Sequence, residues 1–156
     1  MEKLIFDSGV KEYQINDNGV LRFNPSDPNV YSRFMNAMEK ITGTEKRMVE
    51  KAKVLQTSED AGKNGAAVLA LLAEADREIK EILAEVFGPE NDFNAMLGGV
   101  NLLAVAGNGE RVVTNFLAAL QPIMVEGARK CAQQQANGAV AQAQMNRAQR
   151  RAAGKK

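Results

Sequence analysis

The chain has no histidine, no tryptophan and one cysteine, Cys131, in 156 residues. These absences exclude several classes of function. With no His and one thiol, a Cys/His zinc site cannot be built, and an internal disulfide framework is impossible. The side chain that most often moves protons near neutral pH is also missing, so a serine hydrolase has no histidine base for its nucleophile and only a Ser–Lys pair stays open. Aromatic residues make up only 5% of the chain, which leaves Ala, Leu, Val and Met to do the packing and favours closely spaced helices. No apolar run approaches the roughly 20 residues that span a bilayer. The opening Met1-Glu2-Lys3-Leu4-Ile5-Phe6-Asp7 meets an acid at once, unlike the apolar core of a signal peptide. The expectation is a soluble, cytosolic protein with no membrane contact.

The last absence is of one sign of charge. Arg129 to Lys156 contains no acidic side chain and seven basic ones: Arg129, Lys130, Arg147, Arg150, Arg151, Lys155 and Lys156. The first 128 residues hold all 19 acids and 13 of the 20 bases, a formal charge of −6 against +7 for the remainder. An acidic body is thus joined to a basic, Ala/Gln-rich tail, a split that points to a body with one role and a tail that touches something else.

What is present reads as mainly α, of α+β type: a small N-terminal antiparallel β-hairpin or sheet packed on a bundle of three to four helices. The expected organisation is one globular domain over 1–128, with the hairpin in 1–25 and the helical body in 26–128, followed by the tail over 129–156. Lys3–Asp7, Glu12–Asn16 and Val20–Asn24 are short extended runs, and Asp17-Asn18-Gly19 is a turn that tolerates the positive φ of a tight hairpin. Ser26 or Asp27 can cap a helix that Pro28 begins. The spacing of Val30, Phe34, Ala37, Met38, Ile41, Met48, Val49, Ala52 and Leu55 predicts an amphipathic helix of about 28 residues, with Gly43 a place to bend. Gln56–Gly65 reads as a polar loop. A second helix is predicted from Ala66 to Phe87, stopped by Gly88-Pro89. Asn91–Leu97 reads as a short helix ended by Gly98-Gly99, and Val100–Ala106 as helix or buried strand. A last helix is predicted from Glu110, bent at Pro122 and fraying or disordered from Asn137-Gly138.

No motif carries catalysis. Gly62-Lys63-Asn64-Gly65 lacks the frame of a phosphate-binding loop, and Gly107-Asn108-Gly109 begins a dinucleotide fingerprint whose third position falls on Val112. Glu74, Asp76, Glu78, Glu81 and Glu85 alternate with Arg77 and Lys80, the pattern of a solvated, ion-paired helix face. No catalytic residue, cofactor or metal is expected. The seven methionines are core filler or, alternatively, the lining of an adaptable protein-binding groove. Phe34, Met35, Met38 and Met48 are the groove candidates, with core burial as the competing fate. Arg147, Arg150 and Arg151 are the candidates for electrostatic contact by the tail. The tail has no aromatic residue to stack on bases, so nucleic acid is not the expected partner and would be held there only through its phosphates.

Several strings carry a family resemblance. Phe23-Asn24-Pro25-Ser26-Asp27-Pro28 leads from hairpin to long helix, and Val86-Phe87-Gly88 ends the second helix. Asn115-Phe116-Leu117-Ala118-Ala119-Leu120-Gln121-Pro122-Ile123 lies in the last helix, and Asn146-Arg147-Ala148-Gln149-Arg150-Arg151-Ala152 lies near the end. Over residues 11–126 and the basic terminus, the chain resembles the tail assembly chaperones of long-tailed, siphovirus-type phages and prophages of Gram-positive bacteria. The resemblance implies a non-enzymatic protein of the host cytoplasm, absent from the finished virion. It implies a tape measure protein as client, and self-association into a homo-oligomer. It further implies a longer product of ribosomal frameshifting that recruits tail tube protein, with which Ala153-Gly154-Lys155-Lys156 is compatible. The competing reading is a small nucleic-acid-associated phage protein that uses the basic tail.

Overall fold

A computed structural model describes residues 1–57 and 61–154. Two strands and four helices follow in order: β1 (Lys11–Ile15), β2 (Gly19–Phe23), α1 (Pro28–Gln56), α2 (Ala61–Phe87), α3 (Phe93–Met96) and α4 (Val112–Ala153). The fold is mainly α, with a two-stranded antiparallel sheet packed on the helices, as the sequence predicts. Lys3–Asp7 forms no strand.

The hairpin register pairs Tyr13 with Leu21 and Ile15 with Gly19. Its turn departs from the expected Asn-Gly geometry. The positive φ (47°) falls on Asn16, and Asn18 N donates to Ile15 O at 3.0 Å. Gly19 is needed for a different reason: a Cβ there would lie 2.9 Å from Met96 Cα, so glycine lets β2 close on α3. The inward face of the hairpin carries Leu21 and Phe23, both buried. Phe23 stacks on Tyr13 at 5.1 Å and meets the edge of Phe87 at 4.8 Å. Phe87 in turn touches Phe34 and Phe93, and Phe93 meets Phe116. A scarce set of rings is thereby concentrated where sheet, α1, α2, α3 and α4 converge, a site at which each pair adds specific geometry to apolar burial.

Asp27 caps α1 by accepting from Asn29 N at 2.9 Å, with Pro28 in the first turn. α1 and α2 form an antiparallel pair, tied by Arg33 Nε to Val86 O, Lys40 to Glu85, and Thr44 and Arg47 to Glu78. α1 continues as one helix through Gly43. The predicted loop over Gln56–Gly65 is shorter than expected, because α1 runs to Gln56 and α2 already begins at Ala61; residues 58–60 lie outside the described residues. The Gly/Lys string at 62–65 is thus helix. Gly88 takes φ +106° and its N–H bonds Ala84 O, which ends α2 where the Gly-Pro pair predicts.

The segment Val100–Ala106 is neither helix nor strand; Val105 makes one isolated bridge to Arg111. Leu102 and Leu103 are nonetheless buried. What holds them is a polar network whose members have the sequence pattern of a solvated face. Lys80 Nζ donates to Asp76 Oδ2 (2.8 Å), Asn94 Oδ1 (2.9 Å) and Val100 O (2.9 Å), while Asp76 Oδ1 accepts from Leu102 N (2.8 Å). Lys80 is only 8% exposed, so Asp76 and Lys80 belong to the interior; Glu74, Glu81 and Glu85 stay on the exposed face. A buried ammonium is tolerable because its donors are used and a carboxylate faces it.

α4 is a single helix of 42 residues. Val113, Leu120 and Met124 are its fully inward side chains. Pro122 lies inside it on the exposed side. Gly127 is buried where α4 crosses the end of the hairpin, and a Cβ there would lie 1.8 Å from Pro25 O. No other residue fits that crossing.

Candidate binding surfaces

Three features remain once the core is closed. The first is an apolar groove of about 550 Å³ between β1 and the first half of α4. Tyr13 and Ile15 form one wall, Val112, Phe116, Ala119 and Ile123 the other, with Leu97 and Val100 at the floor. The period-two alternation of β1 turns Tyr13 and Ile15 toward α4, and helical spacing turns Phe116, Ala119 and Ile123 back at them. The surroundings of Tyr13 push its phenol pKa above the ordinary value, because burial disfavours the phenolate.

The second feature is the end of α4. Cys131 is the last described residue with partial burial; every described residue from Ala132 to Gly154 is exposed. At 1.5 Å per residue, the helix from 132 to 153 extends about 33 Å beyond the body. Glu126, the last acid, stands at its root, where a hydrogen bond from Arg129 holds its pKa below the ordinary carboxylate value and raises that of Arg129. Beyond that pair the helix carries Arg147, Arg150 and Arg151 with no acidic neighbour in sequence. Its intrahelical side-chain contacts include Arg129 to Gln133 at 3.4 Å and Gln142 to Asn146 at 3.3 Å.

The third is the N-terminal arm. Leu4, Ile5 and Phe6 are 87%, 79% and 74% exposed, three consecutive large apolar side chains with nothing over them.

The sequence candidates separate accordingly. Arg147, Arg150 and Arg151 lie together on the projecting helix. Phe34 and Met48 are core residues outside the groove beside β1, because they share the buried α1 stripe with Val30, Ala37 and Ile41. Met38 packs half-buried against that core, and Met35 is exposed. The four α1 residues therefore do not form one surface. The alternation of β1 and the helical spacing of α4 give Tyr13, Ile15, Phe116 and Ile123 an inward direction, but not an open trough to line. Spacing gives the direction of a side chain and not whether a second element closes over it.

Among the described residues no cluster of three or more His, Cys, Asp or Glu is placed to hold a metal, and no helix is long and apolar enough to cross a membrane. No buried side-chain polar atom among them lacks a partner. The class defined by these features is a mainly helical, α+β scaffold that presents an apolar groove, a basic helical extension and an apolar arm. Compared with protein-family models, curated proteins and solved structures, the chain shows no significant match to any.

Proposed function

We propose that the chain is a holding chaperone of phage tail assembly that grips a long helical client, the tape measure protein, and keeps it soluble before tail tube subunits polymerise around it. The observation that carries this reading is the projecting half of α4. A helix of more than 20 residues with no apolar stripe and no intramolecular partner gains nothing from tertiary packing, which is the usual source of helix stability. Its Ala, Gln and Arg content favours helix intrinsically, and its exposed Val140 and Met145 are small apolar points among basic residues. Such an element suits pairing with another helix that offers acidic flanks, where long-range attraction speeds encounter and short contacts set the register. In this reading the protein works in the host cytoplasm and leaves before the virion is complete. A frameshifted extension that recruits tail tube protein belongs to the same proposal.

The test is co-expression with the tape measure protein of the same genome. The full chain is expected to hold that protein in the soluble fraction and to co-purify with it, and a chain ending at Cys131 to lose most of that effect. A tape measure protein that is equally soluble with and without the chain would overturn the proposal. Retention on DNA that falls steeply with salt and disappears with the tail would instead favour the nucleic-acid reading.

A further inference from the structure

The arm and the groove are complementary, and they are not in contact. β1 lies at an edge of the sheet. The other edge, that of β2, is closed: Asn91 Oδ1 accepts from Arg22 N at 2.9 Å, and Asn91 Nδ2 donates to Arg22 O at 3.0 Å, so one amide stands in for a third strand. Since the peptide groups of Arg22 point outward, those of its cross-strand partner Glu12 do too, and Gln14 follows by alternation. Among the described residues no hydrogen bond reaches them on that side. An open edge beside an apolar trough is a template for strand addition.

The arm has the composition of the missing strand. Leu4-Ile5-Phe6 runs on from the start of β1 and is turned off the body at Gly9, which takes φ +72°. Asp7 Oδ1 accepts from Gly9 N at 2.8 Å, and Asn24 donates to Ser8 O at 3.0 Å, which fixes the exit. A Cβ on Gly9 would lie 2.7 Å from the Asn24 amide, so the exit needs glycine. The arm therefore leaves its own groove uncovered while its apolar side chains stay in water.

We infer that two copies of this chain exchange arms, the Leu4–Phe6 segment of each adding as an antiparallel strand to the free edge of β1 in the other and filling the groove against α4. One register satisfies a two-fold axis. Leu4 stands opposite Ile15 of the partner subunit and Phe6 opposite Tyr13 of the partner subunit, with the axis passing between Gly9 and Val10. Opposed residues share a face, so Leu4 and Phe6 enter the trough, and Ile5 shares main-chain bonds with Gln14 of the partner subunit.

Area decides that the exchange is reciprocal. Burying one arm removes about 400 Å² of its surface and roughly half as much of the groove. A single docking of roughly 600 Å² is no more than an incidental contact, whereas two reach about 1,200 Å², the lower end of the range of specific interfaces. This inference does not depend on any client.

Sedimentation equilibrium of the full chain over the micromolar range is expected to show a dimer. The double variant Leu4→Ser/Phe6→Ser, at positions that support nothing within one copy of the body, is expected to be monomeric, to keep its helical circular dichroism, and to melt at a temperature that no longer rises with concentration. For placement, Cys131→Ser chains bearing either Leu4→Cys or Ile15→Cys, one carrying a size tag, are mixed and oxidised. A disulfide between the two kinds of chain is the expected product. A wild type that is monomeric throughout, a double variant that stays dimeric, or a mixture that yields no mixed disulfide would each overturn the inference. So would a chain bearing both cysteines that closes the bond within itself as a monomer.

Discussion

α4 is one helix with two halves that are held by different physics. From Val112 to Cys131 it is half-sunk in the body, where Val113, Leu120 and Met124 are buried, and Phe116 packs against Phe93. From Ala132 to Ala153 it is wet on every side. Backbone hydrogen bonding is the same in both; only the first half also gains from removing apolar surface from water, the main driving force of folding. Continuity of a helix therefore says little about uniform stability, and the exposed half lies at the low-stability end where binding elements are found.

Two glycines break the comparison most sharply. Gly127→Ala puts a methyl into the Pro25 carbonyl, and overpacking against backbone is expected to cost about 3 kcal/mol or more. Chemical denaturation of the whole domain would read this loss. Gly138→Ala meets nothing within 4 Å. It is expected to gain up to about 1 kcal/mol of local helix propensity, visible as slower amide exchange in the projecting half, with the global melting temperature unmoved. Equal effects at both positions would mean that the two halves do not differ as described.

Between these extremes lies recognition. Replacing Arg147, Arg150 and Arg151 together by Gln keeps helix-forming side chains in place. It is expected to weaken client binding roughly tenfold at low salt, and less as salt screens the contact, while the thermal melt stays constant. Loss of fold in this variant would show that the projecting half carries stability after all.

The smallest effect is with pH. The phenol of Tyr13 has a folded pKa raised by burial, so above about pH 10 the unfolded chain releases a proton that the folded chain retains. Stability present below the unfolded pKa is thus lost as pH rises through the folded one. The decline is expected to vanish in Tyr13→Phe and to leave amide exchange beyond Cys131 untouched. Acid acts at the root of the projecting half: the lowered pKa of Glu126 places a slight loss of local order near Arg129 as pH falls through that folded value.

Much of the fold was legible in the residues. Asp27-Pro28 marked the start of α1, the three-and-four spacing of Val30, Phe34, Ala37 and Ile41 marked its buried face, and Gly88 marked the end of α2. Local chemistry sets these features. Val100–Ala106 was not legible, because its apolar residues are held in place by Lys80 and Asp76 from another element rather than by any periodicity of their own. The open groove was likewise hidden, since half-burial of Tyr13 and Phe116 reads in sequence like the core.

The amino-acid order by itself determined the helices, the hairpin, the split between an acidic body and a basic tail, and the poverty of proton-transfer and metal-binding side chains, since each follows from composition or near-neighbour spacing. Tertiary structure alone decided that Lys80 is buried, that Gly127 and Gly19 are points of backbone contact, and that a trough lies open beside β1. Those outcomes depend on which surfaces meet across tens of residues, and no local pattern encodes the distance between them.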